Sequence, residues 1–473
     1  MRTALIRLPS KYADWYRSPA LGLSYISAYL EDKGFDCKVF DSYFHSWSDE
    51  ELLCHLKDYK PEVVGITAMT HEIIRVAQIA SQLKKQLNIP VIIGGCHVTA
   101  LLEKTLEEFP VFDYGVYGEG EKTTLELLRY LQQGMPELGD IKGLIFRNGR
   151  GSICVNESRS VLISEELDAL PYPGFHHCYG DNPSALASKD SYYVMFTSRG
   201  CPYNCAFCMR VLGRKLRRRS AQSILQEMKY AIARYGAHTF DFADEIFLLN
   251  DSRTRNILQL MVESGLSKKI RWSALTRVNF VKPDLIDLAK KAGCYRLEMG
   301  VESGDNEILK NIGKNITVEQ VKMAVKIIKD VGVSLGTYFI LGHPNETSET
   351  LRKTVDLAVK LNTDTVAVGI MVPYPGTKIY DMALAGEGGY RLLTKDWAEY
   401  DKYGGRALEI KNLPYKELVK WQKRTIIYFY LENVRLIDAF KYFWKRRKAL
   451  LFFTKNCLFV RLLSKKQKPN ILQ

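Results

Sequence analysis

Tyr193-Val194-Met195-Phe196-Thr197-Ser198-Arg199-Gly200-Cys201-Pro202-Tyr203-Asn204-Cys205-Ala206-Phe207-Cys208 is the stretch on which the reading of this chain turns. Its first five residues make an apolar run of strand type, and three cysteines follow in the next loop with the spacing C-x-x-x-C-x-x-C. Thiolates are soft donors, and three of them this close can hold an iron–sulfur cubane while leaving its fourth iron without a protein ligand. A zinc site asks for a fourth ligand at comparable spacing, and His176, His177 and His238 stand in no zinc pattern with these cysteines. Cys201, Cys205 and Cys208 are therefore assigned to a 4Fe–4S cluster with one open iron.

Working outward, the strand at Tyr193–Thr197 begins an alternating series. Further strands are predicted at Thr239–Ala243, Arg271–Leu275, Arg296–Gly300, Leu335–Ile340 and Thr365–Met371, with helix-spaced segments between them. Six such units predict a partial (β/α)6 barrel, an incomplete version of the eight-unit closed form. Upstream, Thr3–Leu8, Cys37–Phe40, Val63–Ala68, Val91–Ile93 and Tyr114–Tyr117 read as strands. The segments Leu21–Glu31, Glu72–Gln86, Leu101–Phe109 and Lys122–Gln133 between them read as helices. That alternation predicts an α/β, doubly wound, Rossmann-like parallel sheet with its ligand site beyond the carboxyl ends of the strands. The expected division is residues 1–138 for this domain, 139–185 for a hairpin and linker, 186–385 for the barrel and 386–473 for a helical, basic extension. Asn148-Gly149 supplies the hairpin turn, between strands at Leu144–Arg147 and Ser152–Asn156, and the two prolines of Leu167–Pro173 mark the linker.

Composition narrows the class. The 473 residues are 46% hydrophobic and 25% charged, a globular balance. The apolar start Ala4-Leu5-Ile6 breaks at Arg7, which argues against a secretion signal and for the cytosol. Ten cysteines are too few and too scattered for a disulfide framework, and Cys37, Cys54, Cys154, Cys178 and Cys457 read as packing residues. Much of the net charge of +14 lies after Ala439, where Lys441, Lys445, Arg446, Arg447, Lys448, Lys455, Arg461, Lys465, Lys466 and Lys468 stand without an acid. Nucleic-acid binding is not expected of the folded domains. Within Tyr428–Leu463 no apolar run reaches the ~20 residues that span a bilayer. Leu418–Phe443 is read as a helix packed on the barrel, and the basic tail is the candidate for peripheral contact with the inner membrane surface.

The cysteine motif, with aromatic Phe207 ahead of the third cysteine, resembles that of the radical S-adenosylmethionine superfamily. The resemblance runs from about Tyr192 to Tyr380. It implies that S-adenosylmethionine chelates the open iron and is split by one electron to a 5′-deoxyadenosyl radical. It further implies that Asp244 and Glu245, at the end of the second barrel strand, hold the methionine amino group. Arg277 fits the methionine carboxylate through its guanidinium fork. Glu302 and Ser303 in Gly300-Val301-Glu302-Ser303-Gly304 are similar to the fourth-strand turn that reaches the ribose or methionine. Gly342, in Ile340-Leu341-Gly342-His343-Pro344 before Glu346, resembles the segment near adenine, and Tyr374 lies in the sixth-strand turn.

The first domain resembles the cobalamin-binding domain that often precedes such a barrel. The likeness rests on Pro19–Leu23, on Thr67-Ala68-Met69, on Gly94-Gly95 with His97, and on Gly118-Glu119-Gly120-Glu121. Adjacent glycines let backbone approach a bulky ligand. Thr67, Met69, Gly94, Gly95, His97, Gly118 and Glu119 are the implied contacts. A common pattern, D-x-H-x-x-G after the first strand, is missing: Leu8-Pro9-Ser10-Lys11-Tyr12 stands there. Cobalamin without a protein histidine on its lower face is expected, and a degenerate domain lacking the cofactor is the alternative.

The resemblance implies a cobalamin-dependent radical methyltransferase acting on an unactivated carbon or phosphorus centre of a natural product, lipid or cofactor precursor. An external low-potential electron donor goes with it. The alternatives are a radical cyclase or rearrangement enzyme and, ranked lower, a methylthiotransferase, which needs a second set of N-terminal cysteines that Cys37, Cys54 and Cys96 are too dispersed to supply.

Overall fold

The computed structural model describes residues 1–9, 18–188 and 191–433. Its first sheet has seven strands: β1 (Arg2–Arg7), β2 (Asp36–Asp41), β3 (Val63–Thr67), β4 (Val91–Gly94), β5 (Tyr114–Val116), β6 (Leu144–Arg147) and β7 (Ile153–Val155). They lie in the order β2-β1-β3-β4-β5-β6-β7. The first five run parallel, as their Val- and Ile-rich sequences require when both faces are covered by helices. β6 and β7 are antiparallel and extend the same sheet, so the hairpin read at Asn148-Gly149 is an edge of the first domain. Asn148 builds its turn by accepting the N–H groups of Arg150 and Ser152 on its side-chain oxygen.

The helix expected over Leu101–Phe109 is two helices, Cys96–Leu101 and Glu103–Glu108. They are separated by Leu102 at φ +48°, a left-handed conformation that interrupts the helical ladder. Cys54, expected to be packed, is exposed, because it lies about 200° around the helix Asp49–Tyr59 from buried Leu52.

Past the helix Ser164–Asp168 and the proline-marked linker comes the second sheet, with β8 (Tyr193–Met195) at one edge. A short antiparallel ribbon, β9 (Ser198–Arg199) with β10 (Arg217–Arg218), frames the cysteine loop. β11 (Thr239–Phe242), β12 (Arg271–Thr276), β13 (Cys294–Glu302), β14 (Ser334–Leu341) and β15 (Thr365–Ile370) follow in unbroken parallel order. β8 and β15 do not pair with each other, so the barrel is open between them. Helices cover its outside, and the largest core of the molecule lies beneath them, with fully buried Trp272 donating its indole N–H to the Ala292 carbonyl.

The chain then returns over the first domain. A small hairpin, β16 (Tyr390–Leu392) with β17 (Leu408–Ile410), not expected in a helical extension, carries Trp397 and Tyr400 into the core of the first sheet. The Trp397 indole N–H donates to Glu108. Helix Tyr415–Glu432 lays Leu418, Thr425 and Phe429 along one stripe against the barrel, as read for its early part. Among the described residues no helix is long and apolar enough to cross a membrane. The basic tail, Cys457 and the loop residues Ser10, Lys11 and Tyr12 lie outside the described residues.

Candidate functional site

The cysteine loop leaves β9 at Gly200, whose φ of +91° and a carbonyl 2.4 Å from any added Cβ leave room for glycine alone. Cys205 is buried, Cys201 is half-buried and Cys208 is exposed, so the loop runs from the barrel interior to the surface. The Ala206 N–H donates to the Ile312 carbonyl and the Ala206 carbonyl accepts from the Ile379 N–H, which fixes the loop against the barrel mouth.

Arg277 is buried beside this loop. Its Nη1 lies 3.9 Å from Cys205 Sγ, its Nε donates to Asn279, its Nη2 donates to the Lys314 carbonyl, and its guanidinium sits 3.8 Å over the Tyr203 ring. Two arms of the fork expected for a substrate carboxylate thus hold Asn279 and the Lys314 carbonyl, and the third faces the cysteine loop.

Asp244 and Glu245 separate in the same way. Asp244 is fully buried and its carboxylate accepts from the Thr197 N–H and Oγ1, both at 2.6 Å, and from Ser198 Oγ at 2.5 Å. It ties β11 to the strand end that launches the cysteines. Burial raises the Glu245 carboxyl, and its Oε2 is buried with no hydrogen-bond partner among the described residues. Of the two, Glu245 has the oxygen free for an ammonium group.

At the fourth-strand turn Glu302 adopts φ +73°, a left-handed conformation costly for a side chain of this size. Its carboxylate pairs with buried Lys314 at 2.7 Å. Ser303 bonds Thr354 and accepts from the Asp305 N–H, which holds the turn closed. Gly342, at φ +96°, donates its N–H to Glu346 Oε2, as His343 does, and the His343 ring lies 6.4 Å from Phe207. Tyr374 packs on the core of the first domain, and Gly376 of the same turn abuts Ala100.

Burial pushes the Glu346 carboxyl up to about 8, against the two N–H groups that favour its ionised form. A carboxyl raised in the folded state contributes stability below the ordinary carboxylate range and loses it as pH climbs through about 8. Wild-type Tm is therefore expected to fall over that climb. Glu346→Gln, neutral throughout, is expected to show a flatter profile in thermal melts.

In the first domain a cavity of about 220 Å³ runs under the helices Leu21–Asp32 and Glu121–Gln133, along β1, β3, β4 and β5. Thr67, Gly94, Gly95, Gly118 and Glu119 line it, as expected, together with Gly22, Gly65 and Gly120. A Cβ built on Gly22 or Gly118 meets nothing within 4 Å: the backbone itself is wall, leaving width for a flat heterocycle with its ribose and phosphate. Met69 and His97 are not among the lining residues. Met69 is 56% exposed at the end of β3, whereas His97 is fully buried against Trp397, with no partner for either ring nitrogen among the described residues. Burial pushes the His97 ring down to about 4 and keeps it neutral.

Phe196, Arg199 and Leu212 of the barrel line the same cavity. Arg199 meets Glu121 at 2.7 Å, and Arg217 meets Glu119 at 2.7 Å, all four side chains buried. Glu119 also accepts from the Leu162 N–H. The basic run at Arg217-Arg218-Arg219 is absorbed by Glu119, Asp251 and Glu227, not displayed to a polyanion. Removing one partner of a buried ion pair leaves the other charge stranded, so Arg199→Met is expected to cost about 3–5 kcal/mol, read as a lowered Tm. No local periodicity announced this clasp, since its partners lie about 80–100 residues apart. Gly65 was also missed, although a glycine inside a strand signals close backbone approach.

Comparison with known proteins agrees with this geometry. The model of the radical SAM superfamily matches residues 195–358, and that of the B12 binding domain matches residues 16–128. An uncharacterized methyltransferase of Pyrococcus horikoshii is 34% identical over 431 residues, 90% of each chain. An anaerobic magnesium-protoporphyrin IX monomethyl ester cyclase of Rubrivivax gelatinosus is 26% identical over 76% of this chain and 66% of its own. In fold, the radical S-adenosylmethionine methyltransferase TsrM of Kitasatospora setae superposes with a TM-score of 0.70 at 21% identity, over 90% of this chain and 89% of its own. The cofactors are a 4Fe–4S cluster, S-adenosylmethionine and cobalamin, and the residues present fit all three. With a cysteine loop, a glycine-walled cavity and the two domain signatures in sequence, this chain belongs to the cobalamin-binding-domain-containing radical S-adenosylmethionine family.

Proposed function

We propose that this enzyme transfers a methyl group to an unactivated carbon or phosphorus centre of a small natural product, lipid or cofactor precursor. The observation that carries the reading is the shared cavity: Phe196 and Arg199, which lead directly into the cysteine loop, form part of the wall that would hold the cobalamin tail. Carrier and radical source are then neighbours. Bound here, the cluster supplies one electron to S-adenosylmethionine, and cobalamin supplies a methyl carrier.

The chain's own residues do the rest. Cys201, Cys205 and Cys208 hold the cluster, and Arg277 stands beside Cys205. Glu245 takes the methionine amino group through its unpaired oxygen, while Asp244 keeps the strand end in place. Phe207, Glu302 and Gly342 form the remaining wall for S-adenosylmethionine, with Ser303 and Tyr374 holding the turns on either side. Thr67, Gly94, Gly95 and Gly118 receive the cobalamin tail, and Glu119 holds the cavity's shape through Arg217. Met69 stands exposed at the strand end, outside the cavity lining. His97 supports the wall from behind through Trp397.

The similarity to a methyltransferase over 90% of both chains supports methyl transfer over ring closure. An external low-potential reductant and residence in the cytosol complete the reading. Contact with the inner membrane surface would rest on residues beyond 433. Incubation with methyl-labelled S-adenosylmethionine and extracts of candidate small molecules is the test. Label in a product together with 5′-deoxyadenosine is expected; 5′-deoxyadenosine and an altered but unlabelled product would favour the cyclase reading.

A further inference from the structure

Away from both cofactor sites, three side chains from distant parts of the chain converge. Glu31 closes the helix Leu21–Asp32, and His176 and His177 begin the short helix His176–Tyr179 on the approach to β8. His177 Nε2 lies 2.9 Å from Glu31 Oε1 and His176 Nε2 lies 3.3 Å from the same oxygen, with the two rings 4.0 Å apart. Donor atoms of all three lie within 4.8 Å of one another. In sequence the pair of histidines fits no zinc pattern, because the third member is 145 residues away.

We propose that Glu31, His176 and His177 form a binding site for a divalent transition-metal ion of the zinc type, which clips the cofactor-domain helix to the segment entering the barrel. Zinc bonds of about 2.0–2.2 Å in tetrahedral array place neighbouring donor atoms about 3.3–3.5 Å apart, close to the separations found here. Two imidazoles and one carboxylate are borderline donors suited to zinc, cobalt and nickel. The His177 ring makes its 2.9 Å approach without hydrogen-bond geometry, and Nε2 is buried with no hydrogen-bond partner among the described residues. A lone pair aimed beside a carboxylate is what a cation between them resolves. The side chain of His176 is 43% exposed and that of His177 8%, so the site has an open flank for entry and for a water as fourth ligand.

The placement gives the ion a task. Gly22, Leu23 and Ile26 of the same helix line the cobalamin cavity, and the Gly174 N–H donates to the Ser24 carbonyl on it. Phe175, next to the histidines, is fully buried in the barrel core against Tyr193 of β8. A metal here fastens a wall of the cofactor cavity to the barrel that carries the cysteines.

The test is equilibrium dialysis of the anaerobically reconstituted holoenzyme against buffered zinc, with zinc, iron, sulfide and corrinoid counted per chain. Wild type is expected to take up about one zinc, and Glu31→Gln, His177→Ala and His176→Ala each to weaken it at least about tenfold, with iron, sulfide and corrinoid unchanged. Zinc is also expected to raise Tm in wild type and not in the variants. Exposed His176 gives a variant that keeps its fold if His177→Ala does not. Zinc uptake identical in wild type and His176→Ala, or no uptake with only a pH-dependent Tm, would mean a His–carboxylate ion pair and overturn the proposal.

Discussion

Gly22→Leu is expected to abolish cobalamin binding while leaving the protein folded and its iron–sulfur cluster in place. The expectation follows from where the glycine sits. It is the second residue of the helix Leu21–Asp32, and a Cβ there meets nothing within 4 Å because it points into the cavity. Leucine is a better helix former than glycine by about 0.5–1 kcal/mol, so the helix gains and the cavity loses. Four added carbon atoms in about 220 Å³ leave no width for a nucleotide tail. Corrinoid retention should fall at least about a hundredfold, equivalent to a loss of about 2.7 kcal/mol or more in binding. Absorbance of the gel-filtered, reconstituted protein reads corrinoid and cluster together. Methyl transfer should vanish with the corrinoid, whereas cleavage of S-adenosylmethionine should persist.

Cys205→Ala is expected to do the converse. Cys205 is the buried member of the three, on the closed side of the loop, so its loss removes a cluster ligand that no other side chain there replaces. Cluster iron should be lost and 5′-deoxyadenosine formation should drop by more than about a thousandfold, over 4 kcal/mol in barrier terms. Corrinoid should still bind, since no cavity-lining residue has changed. The two variants thus split one enzyme into halves, and a result in which either variant loses both cofactors would count against separate sites.

Much of the architecture was legible in local sequence. All six barrel strands and the five parallel strands of the first sheet appear within about two residues of their expected limits, because apolar runs covered on both faces leave a strong signal. The cysteines were legible for another reason: a ligand set confined to eight residues is local by construction. What escaped detection was non-local. The junction of β5 with β6 depends on pairing across a whole helix, and the break at Leu102 on one residue's positive φ. Asp244 and Glu245 are adjacent and chemically alike, yet hydroxyl and amide donors on another strand saturate one and leave the other open. The guanidinium of Arg277 was read as free for a ligand, and only the folded chain brings the Lys314 carbonyl to it. The same holds for Glu31 and its two histidines.

The central claim is that one folded chain holds a three-cysteine cubane and a cobalamin in adjoining sites. Anaerobic reconstitution with iron, sulfide and hydroxocobalamin, followed by gel filtration and elemental and optical analysis, tests it most directly. About four iron, about four sulfide and about one corrinoid per chain are predicted. Protein that emerges folded but without a cubane, or that holds corrinoid no better than its Gly22→Leu variant, would contradict it.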